Sequence, residues 1–401
     1  MRVRRLLPAL GLIAAASTTH AAPTGFATSF EPGQPAVQGT TGALQLRVGS
    51  GPKQPYAAKA EVGYTGLHAL GYQGSGRQRL FDLDVRIDAD TTLFWSVLPE
   101  IVGEDTVVST YVSVDAVLDD GTRLSGLPVR DQHGVALGAT AQGASRTLYP
   151  QQWAYKQVRL GDVPALRGKR VVALELDVQP AAGQQAQGWV DDIGVQSIAP
   201  KVRQRPSDWV LTTRGTQSNG RFSRGNNIPA VAVPHGFNFW TPVTNAGSLS
   251  WLYAWSEHND AANRPRLQAF SLSHQPSPWM GDRQTFQVMP SRTRGVPETD
   301  RVARSLAFDR ADEVARPQEY RVRFDNGITA ADHAAVFEFG FPADGDANLL
   351  FDNVDARGGL TLDEKTGTLS GYTDVRSGLS TGATRMFVHA RFDQPWQRSG
   401  L

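Results

Sequence analysis

The chain has no cysteine in 401 residues. That excludes disulfide staples, a thiol nucleophile and any thiolate-bound zinc. Charge of one sign is missing as well: 40 basic and 39 acidic residues leave a formal net charge of +1. Such a balance gives no electrostatic case for a nucleic-acid partner or an anionic membrane surface. Long helical periodicities are absent, and beyond the N-terminus no apolar run is long enough to span a bilayer. What the chain has in quantity is glycine (40) and proline (24). With short alternating segments between turns, this predicts an all-β, loop-rich protein of two or three domains.

The N-terminus reads MRVRRLLPALGLIAAASTTHAAP. A basic start (Arg2, Arg4, Arg5) precedes a short apolar run, Leu6 to Ala16, which ends in small residues. This order predicts a secretory signal peptide over residues 1–22, cleaved near Ala21 or Ala22, and a secreted or periplasmic protein. The alternative is a membrane anchor, against which the shortness of the run counts.

From Phe26 onward strand candidates follow at short intervals. LQLRV (44–48), RLFDLDVRI (79–87), TTLFWSVLPEI, STYVSVDAVL and KRVVALELDV alternate apolar and polar residues, the signature of half-buried strands. Asp119-Asp120-Gly121 and Arg167-Gly168-Lys169 supply turn chemistry between them. The pattern predicts an antiparallel sandwich over residues 26–198. A proline-flanked basic linker, residues 199–206, precedes a second unit, residues 207–401.

The first unit opens on SFEPG and closes on VDDI. In these two segments it resembles the jelly-roll, galactose-binding-like modules often appended to carbohydrate enzymes. In many of those an early Glu and a late Asp ligate a structural calcium, a hard cation that takes several oxygen ligands. The resemblance makes Glu31, Asp191 and Asp192 candidate calcium ligands. The alternative is that they are solvated strand-end carboxylates.

The most informative stretch is Thr213 to Pro290, where Gly, Asn, Pro, His and Trp crowd together. It contains VLTTRGTQSNGRFSRGNN (210–227), IPAVAVPHGFNFWTPVT (228–244), WLYAW (251–255) and AFSLSHQPSPWMGD (269–282). In this order the segments resemble the opening strand and Gly/Asn loop, the PGA…PFGM frame, the GYHY element and the GFSHTHLSGTG…GD element of glycoside hydrolase family 92, the exo-acting α-mannosidases. Phe270, Ser271, His274, Gly281 and Asp282 match the last element, whereas Leu272 replaces its first His. The resemblance covers about half of the chain. It implies a larger β-sandwich (supersandwich) placed ahead of a catalytic domain, α-mannoside glycans as partners, and calcium dependence.

A pyranose stacks its C–H face on an aromatic ring while its hydroxyls seek polar partners. The stretch therefore yields Trp251, Tyr253, His274, Trp279 and Asp282 as candidate substrate-binding residues. For any single Trp, including Trp240 and Trp255, core packing is the competing reading. Arg214, Arg221 and Arg224 are read as solvated or salt-bridged.

No catalytic residue is assigned. An inverting glycosidase needs an acid at the leaving oxygen and a base across the ring, roughly 6.5–9.5 Å apart. Asp260, Asp282, Glu313 and Asp352 read as turn or surface residues. In the resembled family these groups and a catalytic calcium sit mostly in a C-terminal α/α barrel, which the sequence is expected to lack. Two functions follow: the N-terminal, carbohydrate-binding part of a calcium-dependent α-mannosidase, inactive alone, or an autonomous secreted carbohydrate-binding protein.

Overall fold

The computed structural model describes residues 2–5, 25–38, 42–200, 203–232, 239–273, 278–280, 286–333, 336–354, 357–375 and 385–400. The chain is all-β, with strands paired antiparallel except for β1, and with one short α-helix among the described residues. It divides into two units, one spanning residues 14–202 and the other residues 203–401 together with the first 13.

A short strand β1 (Arg2–Arg5) is counted with the second unit and is described there. In the first unit the chain forms β2 (Gly25–Thr28), β3 (Gln45–Gly49), β4 (Ala69–Gly74), β5 (Gly76–Arg86), β6 (Thr91–Pro99), β7 (Val112–Leu118), α1 (Ala139–Ser145), β8 (Ala154–Arg159), β9 (Arg170–Val178) and β10 (Ala186–Ser197). One sheet runs β3-β4-β10-β6-β8, with β2 on the free half of β10; the other runs β5-β9-β7. The inward residues of both sheets, among them Leu93, Trp95, Val97, Val190 and Ile193 from the first and Val114, Leu174 and Leu176 from the second, enclose one core. Each such side chain contributes about 1.5–3 kcal/mol on burial.

Alternation sends the remaining residues of each strand outward. On β9 these are Glu175 and Asp177, yet both are buried. Arg77 of β5 donates to Asp115 and Asp177 at 2.8 Å each, and Arg123 donates to Glu175 at 2.7 Å. The segment carrying α1 lies over this face, and the Ala139 N–H points at Asp177. A second buried pair, Lys156 with Asp131 at 2.8 Å, ties β8 to the loop preceding α1.

The second unit contains β11 (Phe239–Val243), β12 (Arg266–Leu267), β13 (Ala269–Ser273), β14 (Phe286–Ser291), β15 (Leu306–Arg316), β16 (Glu319–Phe324), β17 (Thr329–His333), β18 (Val336–Phe341), β19 (Asn348–Asn353), β20 (Gly358–Asp363), β21 (Thr368–Thr373) and β22 (Met386–Arg391). They form sheets β1-β18-β17-β16-β15-β12, β11-β13-β14-β19 and β20-β21-β22. β16 shows the pattern at its cleanest: Tyr320, Val322 and Phe324 point inward and Arg321 and Arg323 outward. Phe270 of β13 meets Tyr320, Phe337 and Phe339 edge-on, which joins the six-stranded sheet to the four-stranded one. Leu272 and Phe286 pack with Leu369 and with Leu360, Leu362 and Val388 of the three-stranded sheet.

β1 pairs in parallel with the edge of β18, Arg2 opposite Glu338 and Arg5 opposite Phe341. Residues 6–24, the body of the expected signal peptide, lie outside the described residues. No helix among the described residues is long and apolar enough to cross a membrane.

Candidate functional site

The Gly/Asn loop of the second unit is held open by its own side chains. Asn219 Oδ1 accepts the N–H groups of Arg221 (2.9 Å) and Phe222 (3.0 Å), an Asx turn. Ser218 Oγ accepts the Arg224 N–H at 2.7 Å. Gly215 (φ 78°) and Asn226 (φ 57°) take left-handed backbone, which those residue types tolerate best. Asn227 closes the base, its N–H donating to Gly215 O at 2.9 Å and its amide to Arg214 O at 3.0 Å.

Segment 251–257 lies along this loop. The Trp251 indole N–H donates to Asn226 Oδ1 at 3.3 Å, and its ring passes over Gly220. Glu257 accepts from the Asn219 amide at 3.3 Å. Burial pushes the Glu257 carboxyl above its ordinary range, and the Asn219 bond offsets this only in part. Trp279 meets Trp251 edge to face, with centroids 5.1 Å apart, and is 60% exposed. The result is a half-open patch with two indoles beside an amide and a carboxylate. It can stack a sugar ring and hydrogen-bond its hydroxyls.

The candidate residues do not all meet there. Trp251 and Trp279 do. Tyr253 is buried, and its hydroxyl donates to Glu313, which also accepts from Tyr320 at 2.7 Å. Tyr253 is thus part of the interior, and Glu313 is a half-buried bonding hub rather than a free surface carboxylate. His274 and Asp282 lie outside the described residues. Trp255 is buried under the Arg310 guanidinium, and Trp240 packs against Phe337; both are core rings. Asp260 caps its own turn through the N–H groups of Ala262 and Arg264, and Asp352 pairs with Arg301 and Arg304. Arg214, Arg221 and Arg224 are exposed. Sequence reasoning missed Asn219, Asn226 and Glu257 as individual residues, although the density of Asn and Gly around them marked the loop.

In the first unit the three candidate metal ligands all grip one loop, residues 63–68. Glu31 Oε1 accepts the N–H groups of Leu67 (2.6 Å) and His68 (2.7 Å), and its Oε2 faces His68 Nδ1 at 3.1 Å. Asp191 Oδ2 accepts from Tyr64 (2.7 Å) and Thr65 (3.2 Å), and Asp192 Oδ1 accepts the Thr65 hydroxyl at 2.6 Å. Asp191 is pushed well above the ordinary carboxylate range by burial and by the neighbouring Asp192 charge, and burial raises Asp192 too. In Glu31 the bonds from His68 and Leu67 outweigh the effect of burial and lower its pKa.

Among the described residues no three acidic or imidazole side chains converge on one point. Backbone oxygens do join in. A methyl built on Gly63 would lie 2.2 Å from His68 O, 2.5 Å from Thr65 O and 2.7 Å from Asp191 Oδ2. Buried Asp191, with half-buried Asp192 next to it and carbonyls converging beside it, is a donor set that fits a hard cation. Glu31 clasps the far half of the same loop.

Comparison with known proteins gives the family of the second unit. Residues 209–401 match the glycosyl hydrolase family 92 N-terminal domain, so the second unit is a domain of that type. Among solved structures the chain is similar to a family GH92 inverting mannosidase from Bacteroides thetaiotaomicron, at 32% identity and TM-score 0.37, over 44% of this chain and 24% of that one. It is also similar to a GH92 α-mannosidase from the same organism, at 21% identity and TM-score 0.34, over 42% and 23% respectively. The chain thus spans about a quarter of the length of these two structures. No curated protein matches it.

Proposed function

We propose that this chain is the N-terminal, carbohydrate-binding part of a secreted, calcium-dependent α-mannosidase acting on α-mannosides of glycans, inactive alone. The observation that carries this reading is the Trp251–Trp279 pair, with Trp279 exposed and Trp251 half-buried beside Asn219, Asn226 and Glu257, in a domain of the family 92 type. In this reading Trp279 stacks a mannose ring, and the Asn226 and Glu257 side chains orient its hydroxyls. The patch positions substrate, and the acid and base of an inverting hydrolysis come from a separate catalytic domain. Of the carboxylates considered for those roles, Asp260, Glu313 and Asp352 are committed to structural bonds.

Asp191 and Asp192, with the carbonyls of Thr65 and His68, would hold calcium in the first unit. The ion would neutralise the buried acids and fix the 63–68 loop. A catalytic calcium is expected outside this chain. The first unit has a core of its own, which favours an autonomous carbohydrate-binding protein as the second reading.

The test is hydrolysis of an α-1,2-mannobiose panel by the purified mature chain, with and without calcium. No turnover is expected, and calcium-dependent turnover would overturn the reading of a chain inactive alone. Binding is read separately. Trp279→Ala should weaken retention on immobilised mannan by roughly tenfold, the scale of one lost stacking contact of 1–1.5 kcal/mol. Unchanged retention would remove Trp279 from the site.

A further inference from the structure

The outer faces of the two sheets in the first unit are unlike. The face of β5-β9-β7 is closed by the Arg77 and Arg123 ion pairs and the segment of α1. On the other sheet the loop before β4 covers only part of the face, through Ala69, Leu98, Trp153 and Tyr64. The rest is an open hollow of about 270 Å³, and Phe94 and Tyr155 line it.

The floor of the hollow follows from sheet register. Gly194 of β10 stands opposite Phe94 of β6 on one side and Ala27 of β2 on the other. A Cβ on Gly194 would come within 2.5 Å of Phe94 Cζ, so the ring lies across the glycine and not above it. Tyr155 of β8 continues the surface, its ring 6.4 Å from that of Phe94 and tilted by 28°, and it is 41% exposed. Together they make an aromatic floor with small residues beside it.

The rim is polar. Between Asp191 and Gly194 the register of β10 shifts, and Asp192 takes φ 46°, a bulge that aims its side chain at the hollow. Asp192 Oδ1 takes the Thr65 hydroxyl, and Oδ2 is left as an acceptor. Gln34 Oε1 already accepts from the Ser29 N–H (2.8 Å), the Thr28 hydroxyl (3.0 Å) and the Glu31 N–H (3.2 Å). Its amide NH₂ therefore points away from those donors with both hydrogens to give. Among the described residues no basic side chain lines the hollow.

We propose that this hollow binds one neutral pyranose, its ring stacked on Phe94 and Tyr155 and its hydroxyls bridging Asp192 and Gln34. Each feature selects the ligand. The aromatic floor matches the C–H face of a sugar, and a carboxylate facing an amide matches hydroxyls that both donate and accept. At about 270 Å³ the open hollow matches one sugar ring in size and lies below the ~300–1,000 Å³ of sites for larger ligands. With no basic side chain in its described lining, the hollow offers no guanidinium or ammonium to pair with a uronic acid or a phosphorylated sugar. This site lies in the first unit and does not depend on the mannosidase reading of the second.

The experiment is saturation-transfer NMR on the full chain in calcium-containing buffer. The probes are methyl α-D-mannopyranoside, methyl β-D-glucopyranoside and methyl β-D-galactopyranoside, with D-glucuronate as the charged control. At least one neutral glycoside should saturate with Kd on the order of 1 mM. Tyr155→Ala, a surface change, should weaken that binding about tenfold or more by removing the stacking ring, and Gln34→Ala should weaken it severalfold. Trp279→Ala should leave it unchanged, which separates this site from the patch in the second unit. The proposal is overturned if none of the three saturates at about 20 mM, if Tyr155→Ala binds like the parent chain, or if glucuronate binds equally well.

Discussion

Replacing Lys156 with alanine should destabilise the first unit by about 3–5 kcal/mol, the cost of stranding one member of a buried ion pair. Lys156 and Asp131 are both almost wholly inaccessible, and their contact is 2.8 Å. Asp131 Oδ1 accepts the N–H groups of His133 and Val135 at 2.9 Å each, and its Oδ2 accepts from Gln142 at 3.1 Å and from Lys156. Lys156 also donates to Thr147 at 2.9 Å. One ammonium thus pins the 131–135 turn, α1 and the chain entering β8. Burial alone would raise the Asp131 pKa, and the Lys156 ammonium with the local N–H groups holds it below the ordinary range. Without Lys156 that carboxylate is buried with no counter-charge.

Amide hydrogen exchange at β8 and β9 reads the first unit by itself and should show protection falling by the corresponding two to four orders of magnitude. Lys156→Met with Asp131→Asn should recover most of the loss, because no unpaired charge then remains. If Lys156→Ala costs less than about 1 kcal/mol, the pair is solvated and its burial is not real.

Lys156 also shows where sequence reading stops. The sequence AYKQVR alternates, and position 156 falls on the inward side, opposite Trp95 on β6. A lysine there contradicts the pattern unless a carboxylate arrives from elsewhere, and Asp131 arrives from 25 residues away. Most strands were legible because period-two alternation is written locally: β16 follows it residue by residue, and β9 carries it in the sequence from Leu174 to Val178. The Thr213–Pro290 stretch stands out as a candidate site through its Gly, Asn and Trp content. Trp279 is exposed, as a large ring in a Pro/Ser loop with no strand face on which to hide should be.

Tyr253, read from the sequence as a sugar contact, is instead buried, and no local signal gives this away. Its hydroxyl partner, Glu313, lies 60 residues away, across a register shift in β15. Phe94 and Tyr155 occupy ordinary outward positions on strands. Only the neighbouring β10, with Gly194 and the bulge at Asp192, makes a hollow of them. Pairings between distant strands are the information a local pattern does not contain.

The first unit should become more stable, not less, as pH falls from 7 to 5 in the presence of a chelator. Asp191 and Asp192 have folded-state pKa values raised above the 3.8 of an unperturbed aspartate, Asp191 by burial and by Asp192, and Asp192 by burial. A carboxyl raised on folding stabilises fully below its unfolded pKa, and this is lost as pH rises through the folded value. The neutral range is therefore where the buried pair costs most. Glu31 acts the other way, since its folded pKa is lowered. Its contribution is present above the unfolded value of 4.5 and is lost only as pH falls through the folded value, so it does not reverse the trend above pH 5.

Calcium should replace the protons. At pH 7 a saturating ion at a hundred times its Kd adds about 2.7 kcal/mol and should flatten the pH slope. Asp191→Asn keeps the side-chain size and an acceptor for the Tyr64 or Thr65 N–H while removing the charge. It should raise the neutral-pH Tm in chelator, remove most of the pH slope and abolish the calcium response. The two parts fail separately. If chelated protein loses stability between pH 7 and 5, the acid pair is not buried as described. If the slope is present but calcium leaves the Tm of the parent chain unchanged, the carboxylates and carbonyls around Gly63 form a loop clasp and not a cation site.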